Sequence, residues 1–150
     1  MNIKKFLIYL IITFVIGGLF TPLTFSNEFY LSLNKPFEIP TILFPIIWSI
    51  LYLLMSISIY LISESDDINK LDSIKIYFIQ LVINSLWTLI FFGFHLIGFS
   101  IIWLIILITS VIIMFIKFYN INKISAFINI PYIIWLILAT MLNISIYILN

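Results

Sequence analysis

The chain has 150 residues, a net charge of +1, 64% hydrophobic against 9% charged residues, and a mean hydropathy of +1.28. A water-soluble fold of this length cannot cover so much apolar surface, so the composition points to an integral membrane protein. No basic run offers a footprint for nucleic acid, and the lack of cysteine rules out a disulfide framework, a thiolate nucleophile and a Cys-ligated metal.

Five apolar stretches, each near the roughly 20 residues that cross about 30 Å of hydrocarbon, predict an all-α bundle of five transmembrane helices forming a single domain over residues 1–150. The first, 6–25, follows Lys4 and Lys5. Its apolar run exceeds the roughly 7 to 15 residues of a signal-peptide core and "TPLTFSNE" offers no small-residue cleavage site, so a retained helix is expected. A polar loop, 26–40, leads to the second helix, 41–62. The third, 74–92, holds Gln80, Asn84 and Trp87 within an apolar segment, and the short "HLIG" link makes it an antiparallel neighbour of the fourth, 97–118. The fifth is 125–149.

Lys4, Lys5, Lys70, Lys75, Lys117 and Lys123 fall on one side of this arrangement and Lys35 alone on the other. The positive-inside rule therefore puts the N-terminus in the cytoplasm and the C-terminus, with loop 26–40, outside. No internal repeat is visible, which disfavours an inverted-repeat transporter.

Helical spacing groups the polar and aromatic residues into stripes: Tyr77, Gln80, Asn84, Trp87 and Phe91 on the third helix, and Pro45, Trp48, Tyr52, Met55 and Ser56 on the second. The fifth carries Tyr132, Trp135, Ala139 and Asn143, and the first Thr13, Gly17 and Thr24. An unpaired carboxamide in hydrocarbon costs several kcal/mol, so these faces are expected to turn inward together. Each amide taken alone is explained by hydrogen bonding between helices. No acid lies within a span, so a proton relay has no visible carrier. His95, at a helix end, has no second metal ligand at suitable spacing, and no metal or required cofactor is expected.

The motifs carry a resemblance. "FYLSLNKPFEIP", "FPIIWSILYLLM", "QLVINSLWTLIFFGFH" and "PYIIWLILATMLN", in this order, resemble the tryptophan-rich sensory proteins, also called translocator proteins or peripheral-type benzodiazepine receptors. The resemblance implies a five-helix bundle, usually a homodimer, with a pocket beneath the first loop that takes porphyrins such as protoporphyrin IX or haem and, in some members, sterols or drugs. Residue by residue, the implied pocket falls on Trp48, Tyr52, Asn84, Trp87, Trp135, Ala139 and Asn143, to which the stripes add Gln80 and Tyr132. Phe29 stands where the family has Trp, and "FEIPTI" has one proline and no Trp where the family has Pro-Pro followed by Trp. Tyr147 lacks the following Lys or Arg of the sterol-recognition pattern.

Three functions follow as expectations: a membrane receptor or sensor for porphyrin; a light-dependent porphyrin-degrading enzyme, with Trp48 and Trp135 as the reactive residues; and a porphyrin, sterol or lipid transporter. Aromatic faces suit a flat macrocycle, and a few amides fix its direction. The lysine asymmetry makes one prediction independent of ligand. Alkaline phosphatase fused after Asn150 is expected to be active and a cytoplasmic reporter at the same site silent; the reverse pattern inverts the topology.

Overall fold

The computed structural model of the protein describes residues 2–24 and 27–150. Phe25, the expected end of the first helix, and Ser26, the expected start of the loop, lie outside the described residues. The described residues form helices α1 (Ile3–Gly17), α2 (Glu28–Ser32), α3 (Leu43–Ser63), α4 (Lys70–Thr88), α5 (Ile97–Ile121), α6 (Lys123–Phe127) and α7 (Ile130–Leu149), with no strand among them. A 3-10 turn, Thr21–Thr24, follows α1, and a π-helical turn, Leu89–Gly93, extends α4.

Four helical units are long and apolar enough to cross a bilayer: α3, α4 with its π turn, α5, and α6 with α7. A fifth candidate is composite. At 1.5 Å per residue α1 reaches only about 22 Å, and it meets the length and hydropathy of a span together with Thr21–Ser32, at a bend of 48°. The expected continuous helix 6–25 is thus interrupted after Gly17. Pro22 explains this, because it supplies no amide hydrogen and disfavours α geometry at the preceding residue. The expected helix 125–149 is likewise divided at Ile128–Asn129, ahead of Pro131 in the first turn of α7. Asn129 compensates, its Nδ2 donating to Ser58 Oγ at 2.7 Å and to the Ser125 carbonyl at 2.9 Å.

Helix α1 packs on α3 and α4, α4 on α5, α5 on α7, and α6 on α3 and α5. Isoleucines on the outer face of α5, such as Ile102, Ile105, Ile113 and Ile116, are exposed and face lipid. Polar side chains turn inward, as the stripes predict. Thr13 pairs with Tyr77, Ser58 and Ser125 exchange bonds to each other's carbonyls at 2.8 Å, and Trp103 Nε1 donates to the Ile83 carbonyl at 2.8 Å. At the N-terminal end of the bundle, Lys5 reaches the Ser63 carbonyl at 2.9 Å and Glu64 at 2.6 Å, and its ammonium holds the Glu64 carboxyl below its usual range.

Gly17 fixes how closely α1 approaches α3. Its carbonyl accepts from Tyr52 Oη at 2.6 Å, and a Cβ built on it would stand 2.6 Å from the Tyr52 ring. Gly17 and Ser85 are both buried within the bundle, so neither small residue is free to face a second copy. Gly17→Ala forces the ring and its hydrogen bond to move. A destabilisation of about 1–3 kcal/mol, typical of overpacking, is expected as a lower midpoint in thermal unfolding in detergent; an unchanged midpoint refutes this close fit.

Candidate functional site: an aromatic cavity under a pinned loop

The cavity lies between α3, α4 with its π turn, α7 and the loop before α3. Its floor is a polar layer. Tyr52 is engaged with Gly17, and Asn84 Nδ2 lies 3.4 Å from Tyr52 Oη. Tyr132 donates to Gln80 Oε1 at 2.9 Å, joining α7 to α4. All four side chains are buried. Gln80 Nε2 and Asn84 Oδ1 have no partner among the described residues.

Above this floor the wall is aromatic. Trp48 stacks on Tyr52 with ring centres 5.4 Å apart, and Trp87 stacks on Phe91 at 5.5 Å. Phe44 meets Phe92 at 6.0 Å and Trp135 at 6.5 Å, both edge to face. Adjacent residues on an α-helix point about 100° apart, yet Phe91 and Phe92 are both only 2% exposed. The π turn accounts for this by widening the backbone over Leu89–Gly93 and turning both rings towards the interior.

The roof is the loop between α1 and α3; hydrogen bonds tie it to the bundle through Asn27 and Asn34 and brace it internally through Lys35. Asn27 caps α2 by accepting from Tyr30 N at 2.9 Å, while its Nδ2 reaches the Leu23 and Phe92 carbonyls at 2.8 and 3.3 Å. Lys35, with a side chain 2% exposed, donates to the Tyr30 and Leu33 carbonyls at 2.9 Å each and lies 4.8 Å from the Tyr30 ring centre. Asn150 finishes the roof, accepting from Asn34 N and donating to the Asn34 carbonyl, both at 2.9 Å. Tyr30 hangs below, edge to face with Phe44 at 5.6 Å.

The cavity volume is about 120 Å³. Of the expected ligand residues, Trp48, Trp87, Trp135, Ala139 and Asn143 line it, whereas Tyr52, Gln80, Asn84 and Tyr132 form the layer below. The lining also includes Tyr30, Phe44, Phe92 and Leu142, which helical periodicity did not single out. For Tyr30 the available signal was the loop motif "FYLSLNKP"; for Phe92 none was visible, because a π turn breaks the periodicity. His95 lies on the outside, exposed and stacked on Phe29 at 4.0 Å.

No charged side chain lines the cavity among the described residues, and its polar groups serve two purposes. Asn143 is engaged in structure, accepting from Ser100 Oγ at 2.9 Å and donating to the Ile97 carbonyl at 3.1 Å. The Tyr30 hydroxyl and Trp87 Nε1, in contrast, are buried without a partner among the described residues. A neutral aromatic chamber holding two free donors can receive a flat apolar molecule that presents acceptors.

A helical membrane bundle with an aromatic chamber roofed by its first loop is the class of protein that this architecture defines. The comparisons make it specific: the model of the TspO/MBR family matches residues 6–149, and the chain belongs to that family. It is 37% identical to Protein CrtK of Rhodobacter capsulatus over 89% of this chain and 83% of the relative. It is also 32% identical to the tryptophan-rich protein TspO of Archaeoglobus fulgidus, over 100% of this chain and 99% of the relative. The tryptophan-rich sensory protein of Cereibacter sphaeroides is 30% identical over 85% of this chain and 77% of its own length.

Asn143 provides a test of the structural assignment. Asn143→Leu leaves the Ile97 carbonyl and Ser100 with fewer partners, so a loss of about 1–3 kcal/mol is expected in thermal unfolding. Wild-type stability in this variant refutes the role as a tie between α5 and α7.

Proposed function

We propose that the protein is a membrane receptor or sensor that binds a flat tetrapyrrole, such as protoporphyrin IX or haem, in the aromatic cavity. The observation that carries this reading is a chamber walled by Trp48, Trp87, Trp135, Phe44 and Phe92, two of whose lining residues, Tyr30 and Trp87, hold buried donors without a partner among the described residues. Ring faces match the macrocycle by stacking and area burial, and the donors supply direction to its acceptor atoms. Family membership supports the same reading.

The cavity volume of 120 Å³ is below the roughly 300–1,000 Å³ of ligand pockets, so a macrocycle requires the roof or a wall to move. Binding is thereby coupled to a conformational change, as a sensor requires. A homodimer and a cytoplasmic N-terminus belong to this proposal. The second reading, light-driven degradation of the bound pigment, draws on the presence of two oxidisable indoles, Trp48 and Trp135, along one cavity. There the pigment supplies the light chemistry, and the protein holds it and excludes water.

Titration of purified protein with protoporphyrin IX in the dark, followed by tryptophan fluorescence, tests both. Trp87→Phe keeps a stacking ring and removes the free donor. Its affinity is expected to fall about tenfold, equivalent to ~1.4 kcal/mol. The double variant Trp48→Phe with Trp135→Phe is expected to bind within about tenfold of the parent. No saturable binding to the parent, or an unaltered affinity in Trp87→Phe, overturns the proposed donor role. Under light, slower bleaching per bound pigment in the double variant selects the enzyme reading; equal bleaching selects the receptor.

A further inference from the structure

Resting on the cavity as the ligand site, we propose that its ligand arrives sideways from the hydrocarbon, through the seam between α3 and α7, with Trp135 and Leu138 as the portal. The class of ligand admitted is a planar, lipid-dissolved molecule whose leading edge is uncharged.

Three observations converge on this seam. First, Trp135 and Leu138 line the cavity and also line a groove on the outside of the bundle, completed by Ile47, Ile50, Leu51, Pro131 and Ile134. One layer of side chains therefore separates the chamber from lipid. Ile50, Ile134 and Leu138 are 55%, 54% and 50% exposed, so the outer approach is open and wholly apolar.

Second, α3 and α7 do not pack closely backbone to backbone as the other neighbouring helices do. They are bridged by rings, with Phe44 to Trp135 at 6.5 Å and Trp48 to Tyr132 at 6.1 Å. Among the described residues, no hydrogen bond joins the Phe44, Trp135 or Leu138 side chains across the seam. Rotating Trp135 and Leu138 between staggered wells opens it without breaking a hydrogen bond.

Third, the alternative route is fastened. Lifting the roof requires releasing Asn34 from Asn150 and Asn27 from the Phe92 carbonyl. Those polar bonds have to be broken to lift the roof, whereas an apolar seam facing acyl chains opens into a solvent of its own kind. The seam is the easier path for a molecule already dissolved in the bilayer. It repels an ion, for which it offers no counter-charge.

A labelling experiment tests the portal without any porphyrin. The chain has no cysteine, so Ala139→Cys places a single thiol on the cavity lining. In lipid vesicles, N-(1-pyrenyl)maleimide dissolved in the bilayer is expected to label it. Filling the outer groove with Ile134→Trp, or independently with Ile47→Trp, is expected to slow labelling at least fivefold, and Leu138→Ala to hasten it at least threefold. Asn150→Ala, which frees the roof, is expected to change the rate less than twofold. Groove variants that label at the parent rate while Asn150→Ala labels at least fivefold faster would place the route under the roof and overturn the proposal. Failure of the bilayer-dissolved reagent to label the parent thiol overturns it as well. Because the reagent is the probe, a failure of porphyrin binding leaves these outcomes intact and separately readable.

Discussion

Hydrocarbon offers no hydrogen bonds, and every polar group that this chain carries into the membrane has to find its partner inside the bundle. That requirement organises the rest of the molecule. Tyr52 closes on the Gly17 carbonyl, Tyr132 on Gln80, Asn143 on Ser100 and the Ile97 carbonyl, and Asn129 on Ser58 and Ser125. Each bond joins elements distant in sequence or spans a helix break. A formed bond adds little, on average about 0.6 kcal/mol in a membrane, whereas an unpaired amide in hydrocarbon costs several kcal/mol. The force of the arrangement is therefore orientational: it forbids helix rotations that would turn a carboxamide to lipid, and dispersion between close-packed apolar side chains supplies the holding energy.

The same requirement divides the interior into layers. Ser58, Ser125 and Asn129 tie α3 to the α6–α7 break, and Tyr52, Gln80, Asn84 and Tyr132 close the layer above. Past that floor the wall becomes almost entirely aromatic. The π turn at Leu89–Gly93 then brings two phenylalanine rings inward where a regular helix would bring one. Tyr30 Oη and Trp87 Nε1, on residues that line the chamber, have no partner among the described residues, and neither do Gln80 Nε2 and Asn84 Oδ1 in the layer below. An unsatisfied buried donor is a standing cost that a bound acceptor removes.

The two boundaries of the chamber differ in chemistry. On the loop side, side-chain amides and a buried ammonium grip backbone carbonyls; on the α3–α7 side, only carbon atoms and rings meet. Membership of the TspO/MBR family places this asymmetry in an integral membrane protein.

The sequence by itself determined the membrane setting, the all-helical fold and the inward faces of the helices. Composition selects the solvent, and a period of 3.6 residues is enforced wherever one face meets lipid and the other meets amides. Trp48, Tyr52, Gln80, Asn84, Trp87 and Asn143 were legible for that reason, and all are buried. Tertiary structure alone decided which of those residues face empty space and which face each other. Gln80 and Tyr132 satisfy one another across α4 and α7, a pairing that depends on the rotation and height of two helices rather than on the spacing within either. Phe92 enters the chamber because of a π turn, and Tyr30 because Lys35, Asn27 and Asn150 hold a loop with no helical period to announce it. Patterning along one helix records its contrast with lipid; the shape of a cavity is set between helices, by distances that no single segment encodes.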